Sequence, residues 1–171
     1  MVYAIWYYTN MKEIKLDENR NPYYPSKKMR ISLLKTLKKV SDYPEILPIS
    51  LERSAEKIFK INQENIIFGN GSMELFNNLV NHFGNTTYGL LKPTFWGFRH
   101  FLYLKNYNTV SEVNLTKNYN ENLNILESLS SNVNVLYLCN PNNPTLTYFN
   151  KTDLIRVIKN HPNCYFIIDE T

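Results

Sequence analysis

A glycine-containing turn before a helical segment is the first place where this sequence could bind an anion. The segment FGNGSMEL, residues 68–75, joins a short apolar run to a helical pattern that ends near Gly84. Gly71 lets the backbone approach a ligand closely, and the free amides and the Ser72 hydroxyl at a helix start suit a phosphate. The lysine of a Walker loop and the third glycine of a dinucleotide fingerprint are absent. An ordinary capped strand–helix turn explains the same residues, so the motif alone leaves both interpretations open.

A loop rich in asparagine and proline follows a second apolar run. The segment LYLCNPNNPTLTY, residues 136–148, places three asparagines and two prolines directly after a strand-like stretch. An Asx turn explains one asparagine in such a loop but not three. Asn143, which precedes Pro144, is therefore a candidate donor to a phenolate oxygen of a ligand.

Two further segments place candidate ligand-binding side chains after apolar runs. KPTFWGF contains Phe95, Trp96 and Phe98, and one of these rings could stack on a flat ligand, although a plain core cluster is the alternative. FIIDET ends an apolar run in Asp169. A buried carboxylate must be paired or hydrogen-bonded to stay ionised. The Asp169 carboxylate could pair with a protonated pyridine nitrogen. Alternatively, it could bind a metal ion or cap the N-terminus of a helix.

Alternating strands and helices from residue 66 onward predict how these segments are positioned. The predicted strands are continuously apolar, which is typical of a sheet that helices cover on both faces. We therefore expect an α/β fold with three α/β/α layers and a mixed, mostly parallel sheet. The strands are predicted at residues 66–68, 86–91, 108–115, 134–140 and 164–171. In such sheets ligands bind at the carboxyl ends of the strands, where the polar loops 69–73, 140–145 and 169–170 should meet.

Composition excludes several classes of protein. The 171 residues are 43% apolar and 20% charged, as in ordinary globular proteins, and the net charge of +4 comes from dispersed lysines. A nucleic-acid footprint would need a concentrated basic stripe. Cys139 and Cys164 lie in apolar runs without metal-ligand spacing, which indicates reduced thiols in a cytoplasmic protein. We expect neither a signal peptide in MVYAIWYYTN nor a membrane span, because no run approaches about 18 apolar residues.

The order and spacing of the four segments resemble a known family. They are similar to the large domain of pyridoxal-phosphate-dependent class I/II aminotransferases of fold type I, particularly the histidinol-phosphate aminotransferase-like group. LDENRNPYYP, residues 16–25, and DYPE, residues 42–45, resemble two N-terminal motifs of that group. The resemblance covers the chain from about Leu16 to Thr171. It implies an N-terminal arm and helix over residues 1–48 and the N-terminal part of the cofactor-binding large domain over residues 49–171.

The resemblance also implies roles for individual residues around the cofactor. The turn of Gly71, Ser72 and Met73 would bind the phosphate of pyridoxal 5'-phosphate. Phe95 would stack on the pyridine ring, and Asn143 would donate a hydrogen bond to its phenolic oxygen.

Two more residues complete the implied site. Asp169, the implied catalytic residue, would pair with the ring nitrogen and keep it protonated. Tyr43 would reach the cofactor phosphate of the neighbouring subunit, which implies a homodimer. The implied substrates are an amino acid and a 2-oxo acid, and no metal, nucleic acid or membrane is expected to take part.

Two departures from the family pattern shape the expectations. Leu146 stands where the family has glycine, which predicts a turn that is relaxed or rebuilt. The printed sequence ends at Thr171, before the family's Schiff-base lysine, and Lys151 and Lys159 lie on a predicted helix instead. We expect a truncated N-terminal portion that is inactive alone. A threonine-phosphate-type decarboxylase, a non-catalytic remnant that dimerises or only binds, and a flavodoxin-like nucleotide-binding domain remain the alternatives.

Overall fold

The computed structural model describes residues 21–44, 46 and 48–171. The chain divides into two compact units, Met1–Leu47 and Pro48–Thr171. Part of the motif at residues 16–25 and the last residue of DYPE lie outside the described residues. None of the helices in the described part is long and apolar enough to cross a membrane.

The first unit contains one helix, α1, over Lys27–Thr36, within its described residues. Ser26 precedes it, and its Oγ accepts a hydrogen bond from the Met29 amide at 3.3 Å. A 3₁₀ turn, Leu37–Lys39, continues the helix. The large apolar side chains spaced along this segment are exposed, among them Met29, Leu33, Leu34, Leu37 and Val40.

The second unit alternates helices and strands, as the sequence predicts. Its helices are α2 (Ile49–Phe59), α3 (Ser72–Phe83), α4 (Trp96–Leu104), α5 (Tyr119–Ser130) and α6 (Lys151–Asn160). Its strands are β1 (Tyr88–Lys92), β2 (Val110–Asn114), β3 (Val135–Cys139) and β4 (Tyr165–Asp169).

The four strands form one sheet in the order β2-β1-β3-β4, and every pairing is parallel. All five residues of β3, at the centre, are buried, as its continuous apolar sequence predicts. The strand predicted at residues 66–68 is wrong, since these residues belong to no strand of the described chain. Ile67 there is 71% exposed, so the apolar run does not mark an interior position.

Helices cover the sheet on both faces and complete the predicted three layers. Side chains of α3 and α4 pack on one face in a cluster that includes Phe76, Phe98 and Tyr137. Side chains of α5 and α6 pack on the other face in a second cluster that includes Leu126 and Val157. The chain crosses from β1 to β2 through α4 and returns across β1 to β3 through α5. The two crossovers run in opposite directions and therefore use opposite faces.

The loop between β3 and α6 has a left-handed residue at Leu146, where the sequence predicted a turn that is relaxed or rebuilt. Leu146 has φ of +57°, a conformation that costs L-residues energy, and its amide donates to the Asn142 carbonyl at 2.7 Å. Its side chain is 81% exposed, so little apolar burial offsets that cost. Of the two expectations for this turn, the relaxed backbone is therefore wrong, and whether the turn is rebuilt stays a prediction.

Leu146→Gly should raise the free energy of unfolding by about 0.5 kcal/mol, because glycine removes a left-handed penalty that exceeds its own entropic cost. Leu146→Val should lower it by about 1 kcal/mol, since a β-branched side chain tolerates positive φ least. Urea unfolding of the 171-residue chain measures both changes.

Leu51→Gly is the control, because Leu51 is a partly exposed leucine inside α2 with helical backbone geometry. It should cost about 1 kcal/mol. A loss of the same size for Leu146→Gly would show that the backbone at residue 146 is not strained.

Candidate functional site

The carboxyl ends of the four strands lie along one edge of the sheet, which we call the carboxyl edge. The strands end there at Lys92, Asn114, Cys139 and Asp169. The chain reverses its direction across the sheet between the neighbouring strands β1 and β3. Open α/β sheets bind ligands outside the carboxyl ends at such a reversal.

Asp169 is a buried carboxylate at this edge, with 7% of its surface exposed. Its Oδ2 accepts a hydrogen bond from the Tyr137 hydroxyl at 2.7 Å. Its Oδ1 accepts hydrogen bonds from the backbone amide of Thr171 at 3.0 Å and from the Thr171 hydroxyl. These donors replace the water that burial removes, so the carboxylate can stay ionised.

The hydrogen-bond count on Asp169 leaves room for a ligand. An ionised carboxylate offers about four lone-pair positions, and the described residues occupy three of them. The fourth can accept one more N–H donor, such as a protonated ring nitrogen. In the described part of the chain, no group of three or more His, Cys, Asp or Glu residues that could hold a metal ion occurs.

The Tyr137 side chain is enclosed by aromatic rings. Its ring stacks on Phe98 with centroids 4.7 Å apart and meets the edge of Phe76 at 5.6 Å. Burial, together with the hydrogen bond to Asp169, raises the pKa of the Tyr137 phenol far above its usual value. The phenol therefore stays a protonated donor toward the carboxylate.

Two of the three loop asparagines build the loop itself. The side chain of Asn140 bonds the backbone of Phe149 through its Nδ2 at 3.1 Å and its Oδ1 at 2.7 Å, which closes the base of the loop. Asn142 accepts from the Thr94 hydroxyl at 2.8 Å and donates to the Pro93 carbonyl at 2.8 Å. Asn142 thus ties this loop to the loop that follows β1.

The third asparagine, Asn143, faces solvent. Its side chain is exposed and makes no hydrogen bond to any described residue. Its backbone amide donates to the Cys139 thiol, which places it beside the end of β3. Burial raises the pKa of that thiol, although the Asn143 amide acts in the opposite direction. The Asn143 carboxamide is therefore free to bond a ligand at the carboxyl edge.

Phe95 lies half-buried at the start of α4, next to the start of α3. Its ring centroid lies 6.4 Å from that of Phe76. A Cβ atom added to Gly97 would lie 2.5 Å from the Phe95 ring and 2.8 Å from the Met73 sulfur. A larger residue at position 97 would therefore have to displace the Phe95 ring or the Met73 side chain.

The glycine turn before α3 presents free donors. Gly71 has φ of +82° and precedes the helix, and its own amide is bonded to the Gly69 carbonyl at 2.9 Å. The amides of Ser72 and Met73 and the Ser72 hydroxyl bond no other described residue, as expected for the first positions of a helix. These three groups can cradle an anion, and the Gly71 amide is committed elsewhere.

A series of contacts connects most of the predicted site residues. Met73 and Phe95 both approach Gly97, Phe95 lies near Phe76, and Phe76 packs on Tyr137, which bonds Asp169. The backbone of Asn143 lies beside the Cys139 thiol at the carboxyl edge, and Cys139 pairs with Asp169 in the sheet register. Tyr43 belongs to the first unit, where its side chain is fully exposed.

Sequence reasoning missed Tyr137 and Asn142. Tyr137 lies two residues before Cys139, so period-two alternation places both side chains on one face of the sheet. Its contact with Asp169 needs the register that pairs Cys139 with Asp169, which the sequence does not define. Asn142 could have been recognised only from its position opposite Thr94.

Comparison with curated sequences finds close similarity to one group of enzymes. The family model for aminotransferase class I and II matches residues 11–171. A histidinol-phosphate aminotransferase of Bacillus velezensis is 30% identical over 162 residues. The match covers 92% of this chain and 44% of that protein, so the chain spans less than half the length of this relative.

Solved structures share the fold. The histidinol-phosphate aminotransferase of Sinorhizobium meliloti in complex with pyridoxal-5'-phosphate superposes with a TM-score of 0.72 at 14% identity, covering 85% of this chain and 40% of that one. The L-threonine-O-3-phosphate decarboxylase of Porphyromonas gingivalis gives a TM-score of 0.73 at 23% identity, covering 85% and 45%. At these identities the likeness establishes the fold, whereas the family match covers nearly the whole chain. The chain belongs to the class I and II aminotransferase family.

Proposed function

We propose that residues 49–171 are the N-terminal part of the cofactor-binding domain of a pyridoxal-5'-phosphate-dependent aminotransferase, and that residues 1–48 are its N-terminal arm and helix. The observation that supports this most is the buried Asp169 carboxylate, which has one unfilled acceptor position at the carboxyl edge. A protonated pyridine nitrogen is the partner that such a carboxylate needs.

The other residues at the edge fit the rest of the cofactor. The free amides of Ser72 and Met73 and the Ser72 hydroxyl suit its phosphate. The half-buried Phe95 offers a ring for stacking, and Asn143 offers an unbonded carboxamide for the phenolic oxygen. Each group thus matches one part of a flat, phosphorylated heterocycle.

When bound, pyridoxal phosphate supplies a ring that withdraws electrons from the α-carbon of an amino acid. Asp169 would keep the ring nitrogen protonated by holding a negative charge beside it. Asn143 would fix the tilt of the ring by bonding its phenolic oxygen, while the turn at Ser72 would anchor the opposite end. The chain's residues thus bind and orient the ring.

Amino transfer between an amino acid and a 2-oxo acid is the proposed reaction of the whole protein. The curated relative at 30% identity is an aminotransferase. The decarboxylase alternative is supported by fold likeness at 22–23% identity to solved decarboxylases. All site residues described above would serve both reactions, so transamination is preferred because of the sequence relationship.

Binding of the cofactor by these 171 residues alone should be noncovalent. Lys92 is the lysine that ends a strand at the carboxyl edge in the described sheet. Its amine pairs with Glu112 at 3.1 Å on the neighbouring strand, so it is engaged away from the cradle. We therefore propose that this chain holds the cofactor but is inactive alone. Two free, buried cysteines support a cytoplasmic location.

A homodimer is proposed as the assembly of the whole protein. The helix α1 exposes its apolar side chains, and Tyr43 is fully exposed beside them in the chain. Exposed apolar surface of this kind marks an interaction site. In a dimer Tyr43 would bond the cofactor phosphate of the partner subunit.

Asp169→Asn should weaken binding of pyridoxal phosphate to the 171-residue chain about tenfold or more, because a charge-assisted hydrogen bond is lost. Equilibrium dialysis measures the dissociation constant. Asp153→Asn is the matched control, since Asp153 also accepts a tyrosine hydroxyl at 2.7 Å but lies on α6. Equal losses for both variants would exclude the proposed role of Asp169.

Asn143→Ala should weaken pyridoxal phosphate binding about tenfold while leaving the free energy of unfolding unchanged, because its side chain bonds no described residue. Asn142→Ala should lower the free energy of unfolding by about 1 kcal/mol, since it removes the hydrogen bonds of a buried side chain to Thr94 and Pro93. Dialysis and urea unfolding separate the two effects. A stability loss for Asn143→Ala would indicate a loop-building residue instead.

Tyr43→Phe should weaken cofactor binding about fivefold in the dimer, where it removes one hydrogen bond to phosphate. Tyr24→Phe is the control, because Tyr24 is 90% exposed in the same unit and has no proposed role. Analytical ultracentrifugation establishes the oligomeric state before the affinities are compared. A dimer whose affinity is insensitive to Tyr43→Phe would contradict the shared site.

A further inference from the structure

We propose that Tyr137 is a positioning residue that orients the Asp169 carboxylate for the cofactor's ring nitrogen. This inference rests on the proposed function, because it concerns the same site. It is supported by the 2.7 Å hydrogen bond from the Tyr137 hydroxyl to Asp169 Oδ2 and by the packing that fixes the phenol in place.

The phenol ring cannot turn away from Asp169. Tyr137 is 1% exposed, and its ring is nearly parallel to Phe98, at an interplanar angle of 2°. The ring of Phe76 packs against it at an interplanar angle of 88°, which blocks movement of the Tyr137 ring toward Phe76. A ring packed in this way keeps its hydroxyl at one point, so the direction of the donated hydrogen bond is fixed.

The two carboxylate oxygens of Asp169 are held by different partners. Thr171 donates to Oδ1 through its amide and its hydroxyl. Tyr137 donates to Oδ2, and it is the one donor that the described residues supply to this oxygen. Removal of its hydroxyl would therefore free one end of the carboxylate and leave the other in place.

The Tyr137 hydroxyl acts as the donor in its hydrogen bond to Asp169. Burial and the neighbouring Asp169 charge both disfavour the phenolate, which raises the pKa of Tyr137 well above that of a free tyrosine. A group that only donates stabilises the ionised carboxylate. An ionised, fixed carboxylate is what a protonated ring nitrogen requires.

Tyr88 provides a matched comparison within the same core cluster. It is also fully buried, and its hydroxyl donates to the Gly84 carbonyl at 2.6 Å. Its acceptor belongs to the turn after α3 and precedes β1, whereas Asp169 lies at the carboxyl edge. Loss of the Tyr88 hydroxyl should affect stability alone.

The test compares pyridoxal phosphate with its analogue in which a C–H group replaces the ring nitrogen. Dissociation constants of both compounds are measured by equilibrium dialysis for the parent chain, Tyr137→Phe and Tyr88→Phe. The parent should prefer pyridoxal phosphate. Tyr137→Phe should reduce this preference about tenfold, mainly through weaker binding of pyridoxal phosphate. Tyr88→Phe should retain the full preference.

A second variant covers the case in which Tyr137→Phe does not fold. Replacement of Tyr137 by 3,5-difluorotyrosine keeps the ring and makes the hydroxyl a stronger donor, so the preference should increase. A preference that is unchanged in either variant overturns the role of Tyr137 and leaves the proposed function intact. A parent chain that binds both compounds equally overturns the role of Asp169, and the proposal for Tyr137 fails with it.

Discussion

A carboxylate buried at the end of an apolar strand is the constraint on which the site depends. Asp169 loses nearly all contact with water, so the protein must supply hydrogen-bond donors in its place. One donor comes from Tyr137 on the neighbouring strand, and this contact is possible only in the register that pairs Cys139 with Asp169. A shift of one residue would turn Tyr137 to the opposite face of the sheet and leave the charge without that donor.

The three asparagines of the loop after β3 differ in burial and in hydrogen bonding. Asn140 and Asn142 are buried and fully engaged with backbone and side-chain partners, whereas Asn143 is exposed and unbonded among the described residues. Two of the three asparagines thus build the loop, and in the proposed function Asn143 is the one whose carboxamide is available to a ligand.

The sequence was sufficient for most of the architecture, but not for the contacts around the candidate site. Continuous apolar runs predicted buried parallel strands because a doubly covered sheet needs no polar face. The strand predicted at residues 66–68 was wrong, since an apolar run of three residues does not reveal whether a neighbouring strand is available to pair with it. The backbone conformation at Leu146 could not be predicted either. Local propensity disfavours a left-handed leucine, yet Leu146 adopts this conformation in a turn closed by the hydrogen bond from its amide to the Asn142 carbonyl. The partnership of Tyr137 with Asp169 depends on register, which long-range packing decides.

Gly97 links the two ends of the candidate site. The start of α3 presents the free amides for an anion, and the start of α4 presents Phe95, and the two meet over the bare backbone of Gly97. Because Met73 and Phe95 both approach the place where a Cβ would lie, any larger residue would force them apart. The close approach of the two helix starts therefore depends on the absence of a side chain at residue 97, which leaves room for the Met73 sulfur and the Phe95 ring. In the proposed site this packing would keep the stacking ring near the anion-binding turn, because a larger residue at position 97 would have to displace one of these two side chains.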